Sequence, residues 1–230
     1  MVIGDILPPE VAVAEEFGDV LDVALFPEEE QVVANAVGKR RREFATARAC
    51  ARQALAKLGV PPAPILPGPR GAPQWPAGVV GSITHCAGYR ASAVARKHEI
   101  VTIGLDAEPH DSLPPGVLDA VSSDQERARL AALSAERPDV HWDRMLFCAK
   151  ESTYKAWFPL TRRWLGFEDA AVDIDPAAGT FSVRLLVAGP VVNGAAVSRF
   201  TGRWLVGNGL ITTAIAVRAA ATGGGVSGRG

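Results

Sequence analysis

Two acidic residues, Asp106 and Glu108, are separated by one alanine at the end of an apolar segment of this 230-residue chain. The segment 100–106 is predicted to be a strand, in which alternate side chains share a face, so Asp106 and Glu108 project side by side. Pro109 keeps Glu108 out of the helical region and preserves this extended geometry. Neighbouring carboxylates repel unless a cation or a proton lies between them, and oxygen ligands suit Mg²⁺. The alternative is a pair of strand-end acids that face water.

A second group of charged residues lies on the segment 143–157, which is predicted to be a helix. Glu151 and Lys155 stand four residues apart and therefore share a helix face. They form either an ordinary surface ion pair or a third metal carboxylate beside two phosphate-binding ammonium groups, Lys150 and Lys155.

Thr84 and His85 place a hydroxyl group and an imidazole on consecutive residues, at the end of a segment rich in proline and glycine. This pairing would fit a hydrolase nucleophile and its base, but adjacent residues rarely have the geometry for that proton transfer. An imidazole that donates to a phosphate is the simpler use, and a purely structural histidine is the alternative.

A basic run, 39–42, is continued by Arg48 and Arg52 on a predicted helix over 28–58. The apolar residues of this helix share one face, which predicts that Arg41, Arg48 and Arg52 lie on the solvent-facing side. Arginines at helical spacing form either a solvated surface or a clamp for a terminal phosphate.

The overall charge excludes broad classes of function. The chain holds 24 basic and 25 acidic side chains, a net charge of −1, which argues against a nucleic-acid coat or a polybasic membrane anchor. The charges are nevertheless sorted, since residues 1–30 hold nine acids and no base, and residues 31–57 hold seven bases and one acid. No window is long and apolar enough to span a membrane, and three scattered cysteines fit a reducing cytoplasm.

The elements that must position these groups follow from periodicity and turn residues. We expect the helix 143–157 to begin with Asp143 as its N-cap and to end at Pro159, and the helix 28–58 to stop at Gly59. Irregular structure is expected over 59–81. The predicted strands are 91–96, 100–106, 203–206 and 210–217, the last two joined as a hairpin at Gly207-Asn208-Gly209. This mixture predicts an α+β or α/β fold, with its internal boundary at 109–116 and a frayed tail over 219–230.

Together these segments resemble the 4′-phosphopantetheinyl transferase superfamily, in particular the larger Sfp-type enzymes. Residues 103–108 match the motif (I/V)G(I/V/L)DxE, and residues 147–155 match (F/W)(S/C/T)xKE(S/A)xxK at every fixed position. Residues 75–85 are similar to the upstream motif of the siderophore-associated and actinobacterial branch. The resemblance extends over about residues 38–168.

The resemblance implies an α+β pseudo-dimer of two similar α/β-type subdomains, 1–108 and 109–218, with the active site in the cleft between them. It implies Mg²⁺, with Mn²⁺ as the alternative, bound by Asp106, Glu108 and Glu151. The catalytic residues implied are Asp106, Glu151 and Lys155. The residues implied to bind coenzyme A are Arg40, Arg48, Arg70, Gly71, Pro73, Thr84, His85, Lys150 and Lys155.

The implied reaction is transfer of the 4′-phosphopantetheine arm from coenzyme A to a serine of an apo acyl or peptidyl carrier protein, with release of 3′,5′-ADP. We expect a cytoplasmic monomer that binds neither nucleic acid nor membrane. The segment 162–167 combines arginines with aromatic bulk and is a candidate docking surface for an acidic carrier. Two rival classes are a non-catalytic coenzyme A-binding module and a metal-dependent phosphohydrolase. The carrier class and the catalytic base stay open at this point.

Overall fold

The computed structural model describes residues 2–220. The α-helices in this range are α1 (Pro27–Val32), α2 (Gly38–Lys57), α3 (Val117–Val121), α4 (Asp124–Glu136) and α5 (Trp142–Thr161). The strands are β1 (Ala12–Phe17), β2 (Val79–Cys86), β3 (Tyr89–Arg96), β4 (Ile100–Pro109), β5 (Ala170–Asp175), β6 (Thr180–Leu185), β7 (Val191–Val192), β8 (Ala195–Ala196), β9 (Arg199–Gly207) and β10 (Leu210–Arg218). None of these helices has the length and apolarity needed to cross a membrane.

Two antiparallel sheets, each covered by a 20-residue helix, organise the fold. The first sheet has the order β1-β3-β2 and packs against α2. The second has the order β4-β10-β9-β6-β5 and packs against α5, mainly through β4 and β10. Strands β7 and β8 form a separate small ribbon. Helices that cover antiparallel sheets confirm the α+β prediction.

Hydroxyl groups join the two sheets where their edge strands β2 and β4 meet. The backbone N–H of Leu105 donates to Ser82 Oγ at 3.1 Å, and that of Ala107 donates to Thr84 Oγ1 at 3.0 Å. These side-chain acceptors satisfy buried β4 donors that would otherwise need another strand. The edge of one sheet is therefore held against the edge of the other. The first half of the molecule comprises the first sheet with α1 and α2, and the second half comprises the second sheet with α3, α4 and α5.

From Thr102 onward, strand β4 separates two cores by alternation, whereas Ile100, beyond a register shift, lies in the core of the odd-numbered residues. Its odd-numbered residues, such as Ile103 and Leu105, pack with the alanines of β3 and the 3₁₀ helix Ile3–Ile6. The even-numbered residues from Thr102 to Asp106 face α5, where Thr102 Oγ1 donates to the Ala156 carbonyl oxygen at 2.8 Å. The predicted strand pattern is therefore correct, and Asp106 and Glu108 lie on the helix side.

Glycine 104 sets the distance between β4 and α5. A Cβ atom at this position would lie 1.9 Å from the Ser152 carbonyl oxygen and 2.7 Å from the Ala156 backbone nitrogen. A helix backbone can approach the strand this closely because the strand residue has no side chain. The glycine inside the acidic motif is therefore required by packing.

The predicted helix 28–58 is wrong in its middle. Helix α1 ends at Val32, and α2 begins only at Gly38, after Val37 in an extended conformation. Asn35 and Gly38 are weak helix formers, which favours the interruption. The C-terminal end is as predicted, because α2 ends at Lys57 and Gly59 follows with φ +67°.

Helix α5 differs from its prediction at both ends. His141 is its N-cap, whereas Asp143 lies in the first turn and accepts a 2.8 Å hydrogen bond from the Leu113 backbone N–H. Pro159 lies inside the helix, which continues to Thr161. The helix then stops at Arg162, whose φ is +55° and whose N–H donates back to the Phe158 carbonyl oxygen.

The four predicted strands lie within β3, β4, β9 and β10. Strands β1, β2 and β5 to β8 were not predicted, and β2 begins at Val79, inside the segment that was expected to be irregular. Asn208 and Gly209 form a two-residue turn with φ values of +52° and +72° between β9 and β10. Strand β4 pairs with β10, so residues 100–109 are hydrogen-bonded into the second sheet, and the division at 108/109 stays a prediction. Ala219 and Ala220 each donate a backbone hydrogen bond, and the rest of the predicted tail, 221–230, lies outside the described residues.

The close approach at Gly104 gives the first prediction. We expect Gly104→Ala to lower the free energy of unfolding by at least about 1–3 kcal/mol, because the added methyl group overlaps helix backbone that has no room to shift. Gly207→Ala is the matched control, since a Cβ there meets nothing within 4 Å. Urea unfolding of both variants measures the difference, and equal midpoints would show that Gly104 is not a packing constraint.

Candidate active site

The candidate site is centred on the buried carboxylate of Asp106, at the point where β4 meets both β2 and α5. Its Oδ1 accepts from Lys155 Nζ at 2.6 Å and from Thr84 Oγ1 at 3.4 Å. Its Oδ2 is buried and has no hydrogen-bond partner. A buried carboxylate oxygen without a partner is costly, so a further positive group is needed at this atom.

Two further carboxylates, those of Glu108 and Glu151, lie close enough to Asp106 to be affected by its charge. Desolvation and the charge of Asp106 raise the pKa values of both Glu108 and Glu151. Glu108 is held by Arg144, whose Nη1 lies 3.1 Å from Oε2. Desolvation acts to lower the pKa of Lys155, but Asp106 and Glu151 outweigh it and the net shift is upward. Three carboxylates therefore lie near two paired bases, Lys155 and Arg144, which favours binding of a further cation.

The donor chemistry of this cluster suits a hard divalent cation. The three acids offer carboxylate oxygens, and Asp106 Oδ2 has no hydrogen-bond partner at the buried centre, although the Cys148 thiol also lies close to Asp106. Across residues 2–220, however, no three His, Cys, Asp or Glu side chains are arranged as a closed metal site. Lys155 and Arg144 instead occupy two of the carboxylates. The assignment of Asp106, Glu108 and Glu151 as metal ligands stays a prediction.

The structure does not bring Lys150 to this cluster. Its Nζ lies 3.0 Å from Glu126 Oε2 and donates to the Phe167 carbonyl oxygen at 2.8 Å. Five residues separate Lys150 from Lys155, which places them on different faces of α5. Lys150 is therefore buried in an internal ion pair, and its assignment to coenzyme A together with Lys155 stays a prediction.

Positive charge adjoins the carboxylates on the first half of the molecule. Arg40 Nη1 lies 3.1 Å from His85 Nε2, and both side chains are exposed. Partial desolvation and the charges of Arg40 and Lys155 lower the pKa of His85. Because the Arg40 guanidinium can only donate, His85 Nε2 accepts from it, and this pair presents donors and positive charge to an anion.

Arg48 does not lie on the solvent-facing side of α2, contrary to its prediction. Its side chain is buried, its guanidinium stacks 4.0 Å from the Phe44 ring centroid, and its Nε donates to the Ile65 carbonyl oxygen at 2.6 Å. Desolvation lowers its pKa to about 10, although Glu29 acts against this shift. Helical periodicity missed this because a loop, and not another helix or strand, covers that face.

The proline- and glycine-rich loop carries Arg70 to the second half of the molecule. Arg70 and Gly71 have left-handed backbones, with φ values of +57° and +76°, and both are exposed. The Arg70 guanidinium stacks 5.2 Å from the centroid of the Trp164 ring. Pro73 forms an isolated bridge with Pro67 that closes the base of this turn.

Three charged residues that sequence reasoning missed support the site. Arg144 holds Glu108, and Glu126 holds Lys150. Buried Arg90 pairs with Asp19 at 2.8 Å, beside the Arg40–His85 pair. The sequence could have predicted a role for Glu126, because Ser123 and Glu126 have the spacing of a capping box, and the structure contains that capping box. The other two had no such signal, since their partners lie far away in the sequence.

One cavity of the molecule lies away from this site. A cavity of about 740 Å³ lies over the second sheet, between the N-terminal segment and strands β5, β6, β9 and β10. None of the predicted site residues lines it.

The position of Lys150 gives the second prediction. We expect Lys150→Met to lower the free energy of unfolding by about 3–5 kcal/mol, because it leaves the buried Glu126 carboxylate without its counter-charge. Lys97→Met, at an exposed turn, is the matched control and should change it by less than about 0.5 kcal/mol. Chemical denaturation measures both, and an unchanged midpoint for Lys150→Met would contradict the buried pair.

Comparisons with known proteins agree with this arrangement of two halves. Residues 28–95 match the family model of the 4′-phosphopantetheinyl transferase N-terminal domain, and residues 102–200 match that of the 4′-phosphopantetheinyl transferase superfamily. The boundary between the two matches falls at the start of β4, where the sheets meet.

Named relatives cover nearly the whole chain. The 4′-phosphopantetheinyl transferase Svp of Streptomyces mobaraensis is 56% identical over 222 residues, 95% of this chain and 90% of that protein. The 4′-phosphopantetheinyl transferase PptT of Mycobacterium tuberculosis is 51% identical over 210 residues, 90% and 92% of the two chains. Enterobactin synthase component D of Salmonella typhi is 35% identical over 121 residues, about half of each chain. The chain therefore belongs to the 4′-phosphopantetheinyl transferase superfamily, and to its actinobacterial branch.

Proposed function

We propose that this chain transfers the 4′-phosphopantetheine arm of coenzyme A to a serine of an apo carrier protein in a reaction that needs Mg²⁺. The observation that carries this proposal is the buried Asp106, with one unpartnered oxygen among two further acids and Lys155 within 2.6 Å. The Arg40–His85 pair lies beside this cluster and supplies the positive charge that a polyanionic substrate requires.

The acidic residues have the role of holding a cation against a pyrophosphate. Asp106 would bind it through Oδ2, while Glu108 and Glu151 would complete the set after Arg144 releases Glu108. When bound, Mg²⁺ screens the charge of the pyrophosphate and orients it for in-line attack. Mn²⁺ is the alternative ion for the same oxygen donors.

Lys155 is the residue placed to stabilise the leaving group. Its ammonium lies at the edge of the acidic cluster, and its raised pKa keeps it charged throughout the neutral range. Charge that develops on departing 3′,5′-ADP is thereby met by a fixed positive group. Glu151 is exposed enough to reach a serine hydroxyl and would remove its proton, directly or through water, as a role secondary to metal binding.

The remaining coenzyme A contacts divide between exposed and buried residues. Arg40, His85, Arg70 and Gly71 are exposed and free to reach phosphate or adenine. Arg48 and Thr84 are buried: Arg48 Nε holds the Ile65 carbonyl oxygen, and Thr84 Oγ1 holds Asp106. Arg48 would therefore contact coenzyme A through its Nη atoms. Because both halves of the cleft belong to one chain, we propose that the monomer is the active form.

The acidic centre gives the third prediction. Asp106→Asn preserves the shape of the side chain but removes its charge, and we expect it to lower kcat/KM for Mg²⁺-dependent labelling of an apo carrier by at least about 100-fold. Glu151→Gln should behave similarly, while Asp5→Asn, an exposed acid in the N-terminal segment, is the control. Mass spectrometry of apo fatty-acid, polyketide and nonribosomal-peptide carriers detects the phosphopantetheine adduct and identifies the carrier class.

Two outcomes would contradict this function. Full labelling by Asp106→Asn would remove the cluster from the reaction. Rapid release of 3′,5′-ADP from coenzyme A and Mg²⁺ in the absence of any carrier would favour the phosphohydrolase.

An exposed patch beside the site suits an acidic carrier. Trp164 is 59% exposed, Leu186 is 50% exposed, and Arg162 and Arg163 lie beside them. Arg163 donates to the Ala188 carbonyl oxygen, which brings the two segments together. Leu165, which the sequence placed in this surface, is buried in the second core and does not take part. Apolar area within a basic rim is the surface that would bind an acidic carrier around its serine.

This patch gives the fourth prediction. We expect the double variant Arg162→Glu/Arg163→Glu to raise the KM for the carrier roughly tenfold while leaving the KM for coenzyme A unchanged, because like charges then oppose docking. The control is Arg184→Glu/Arg199→Glu, two exposed arginines on the second sheet. Steady-state kinetics with a purified carrier decide it, and an unchanged carrier KM would make the patch ordinary surface.

A further inference from the structure

Glu29 is a fully buried carboxylate that ties together three separate segments of the first half. Its Oε2 accepts from the Phe26 backbone N–H at 3.1 Å and from Arg52 Nη1 at 2.8 Å. Its Oε1 accepts from the Ile65 backbone N–H at 2.9 Å. The start of α1, the C-terminal half of α2 and the loop that follows α2 are therefore joined through one side chain.

The second half contains the same arrangement around Glu126. Its Oε2 accepts from the Ser123 backbone N–H at 2.8 Å and lies 3.0 Å from Lys150 Nζ. Its Oε1 accepts from the Val172 backbone N–H at 2.9 Å. In both halves a glutamate in the first turn of a helix binds its own N-cap, a base on the following 20-residue helix, and the backbone beyond that helix.

This correspondence defines what each member does. Lys150 is the counterpart of Arg52, so each of the two bases anchors its long helix to the segment that follows. Lys150 thereby fixes the side of α5 opposite to Lys155. Arg52 and Glu29 fix the side of α2 that meets the loop beginning at Ile65.

The loop held by Glu29 carries groups assigned to coenzyme A. Ile65 is bound from both sides of its peptide unit, since Glu29 accepts from its N–H and Arg48 donates to its carbonyl oxygen. Arg48 lies one turn before Arg52 on α2, and Arg70 follows Ile65 on the loop. Ile65 is therefore linked to Arg48 by a hydrogen bond and to Arg70 through the loop that joins them.

We propose that Glu29 is a positioning residue that aligns Arg48 and the Arg70 loop for the 3′-phosphate of coenzyme A. This inference rests on the proposed function. It also gives the acidic N-terminal segment a role, because Glu29, Glu30 and Asp19 pair with bases of α2 and leave Arg40 beside His85.

For Glu29→Gln, the loss of a negative charge and the loss of alignment would change the affinity for the 3′-phosphate in opposite directions, which makes the proposal testable. Loss of one negative charge from a basic cluster would, by itself, strengthen phosphate binding. The Gln amide group, however, would put a donor either where Arg52 and Phe26 donate or where the Ile65 N–H donates, so the three segments would lose their alignment in both orientations. A weaker phosphate contact therefore reports position and not charge.

The experiment compares coenzyme A with 3′-dephospho-coenzyme A in the full chain, with one apo carrier. We expect Glu29→Gln to raise the KM for coenzyme A about tenfold and to leave the KM for the dephosphorylated analogue and kcat within about twofold. Glu28→Gln, an exposed neighbour on α1, should match the wild type. If Glu29→Gln does not fold, Arg52→Lys keeps the charge, loses the second donor to the Ala24 carbonyl oxygen, and should show a smaller change in the same direction.

Each outcome has one meaning. A selective rise in the KM for coenzyme A supports the proposal. Equal rises with both substrates, a tighter KM for coenzyme A, or no change overturns it and makes Glu29 structural or purely electrostatic. Failure of the wild-type chain to label any carrier would overturn the proposed function, whereas wild-type labelling with no preference for the 3′-phosphate would overturn only the phosphate contact.

Discussion

The close approach of β4 to α5 is the constraint on which the rest of the structure depends. Gly104 permits it, because any side chain there would overlap the helix backbone. The same approach brings Lys155 to within 2.6 Å of the buried Asp106 and leaves the other oxygen of that acid without a partner. Packing and electrostatics are therefore coupled in this short motif. Gly104 sets the distance between β4 and α5, and Asp106, the next residue on the same face of β4, pairs with the Lys155 ammonium of α5.

The hydroxyl groups of Ser82 and Thr84 extend this constraint to the first half of the molecule. They accept from the β4 backbone on its free edge, so β4 is held on one side by β10 and on the other by side chains of β2. Thr84 also donates to Asp106. The acidic centre is thus fixed by both halves, and the cleft between them lies next to His85, the residue that follows Thr84.

Charge sorting in the sequence has a structural explanation. Of the bases on α2, Arg41, Arg42 and Arg52 are paired with Glu30, Asp19 and Glu29 of the acidic N-terminal segment. Pairing of exposed side chains contributes little to stability, but burial of Glu29 makes its network a strong positional constraint. With these three arginines paired, Arg40, which lies 3.1 Å from His85 and 3.8 Å from Glu43, brings positive charge to the edge of the site.

The sequence by itself determined the local chemistry: the alternation that puts Asp106 and Glu108 on one face, the helix turn that pairs Glu151 with Lys155, the Asn208-Gly209 hairpin, and the family motifs. These are properties of neighbours in the chain, which backbone periodicity sets. Only the tertiary structure decided that Lys150 faces Glu126, that Arg48 is buried under a loop, and that Glu29 and Glu126 are equivalent. Their partners lie 17 to 46 residues away along the chain, and which buried donor meets which acceptor depends on how the helices, sheets and loops pack together.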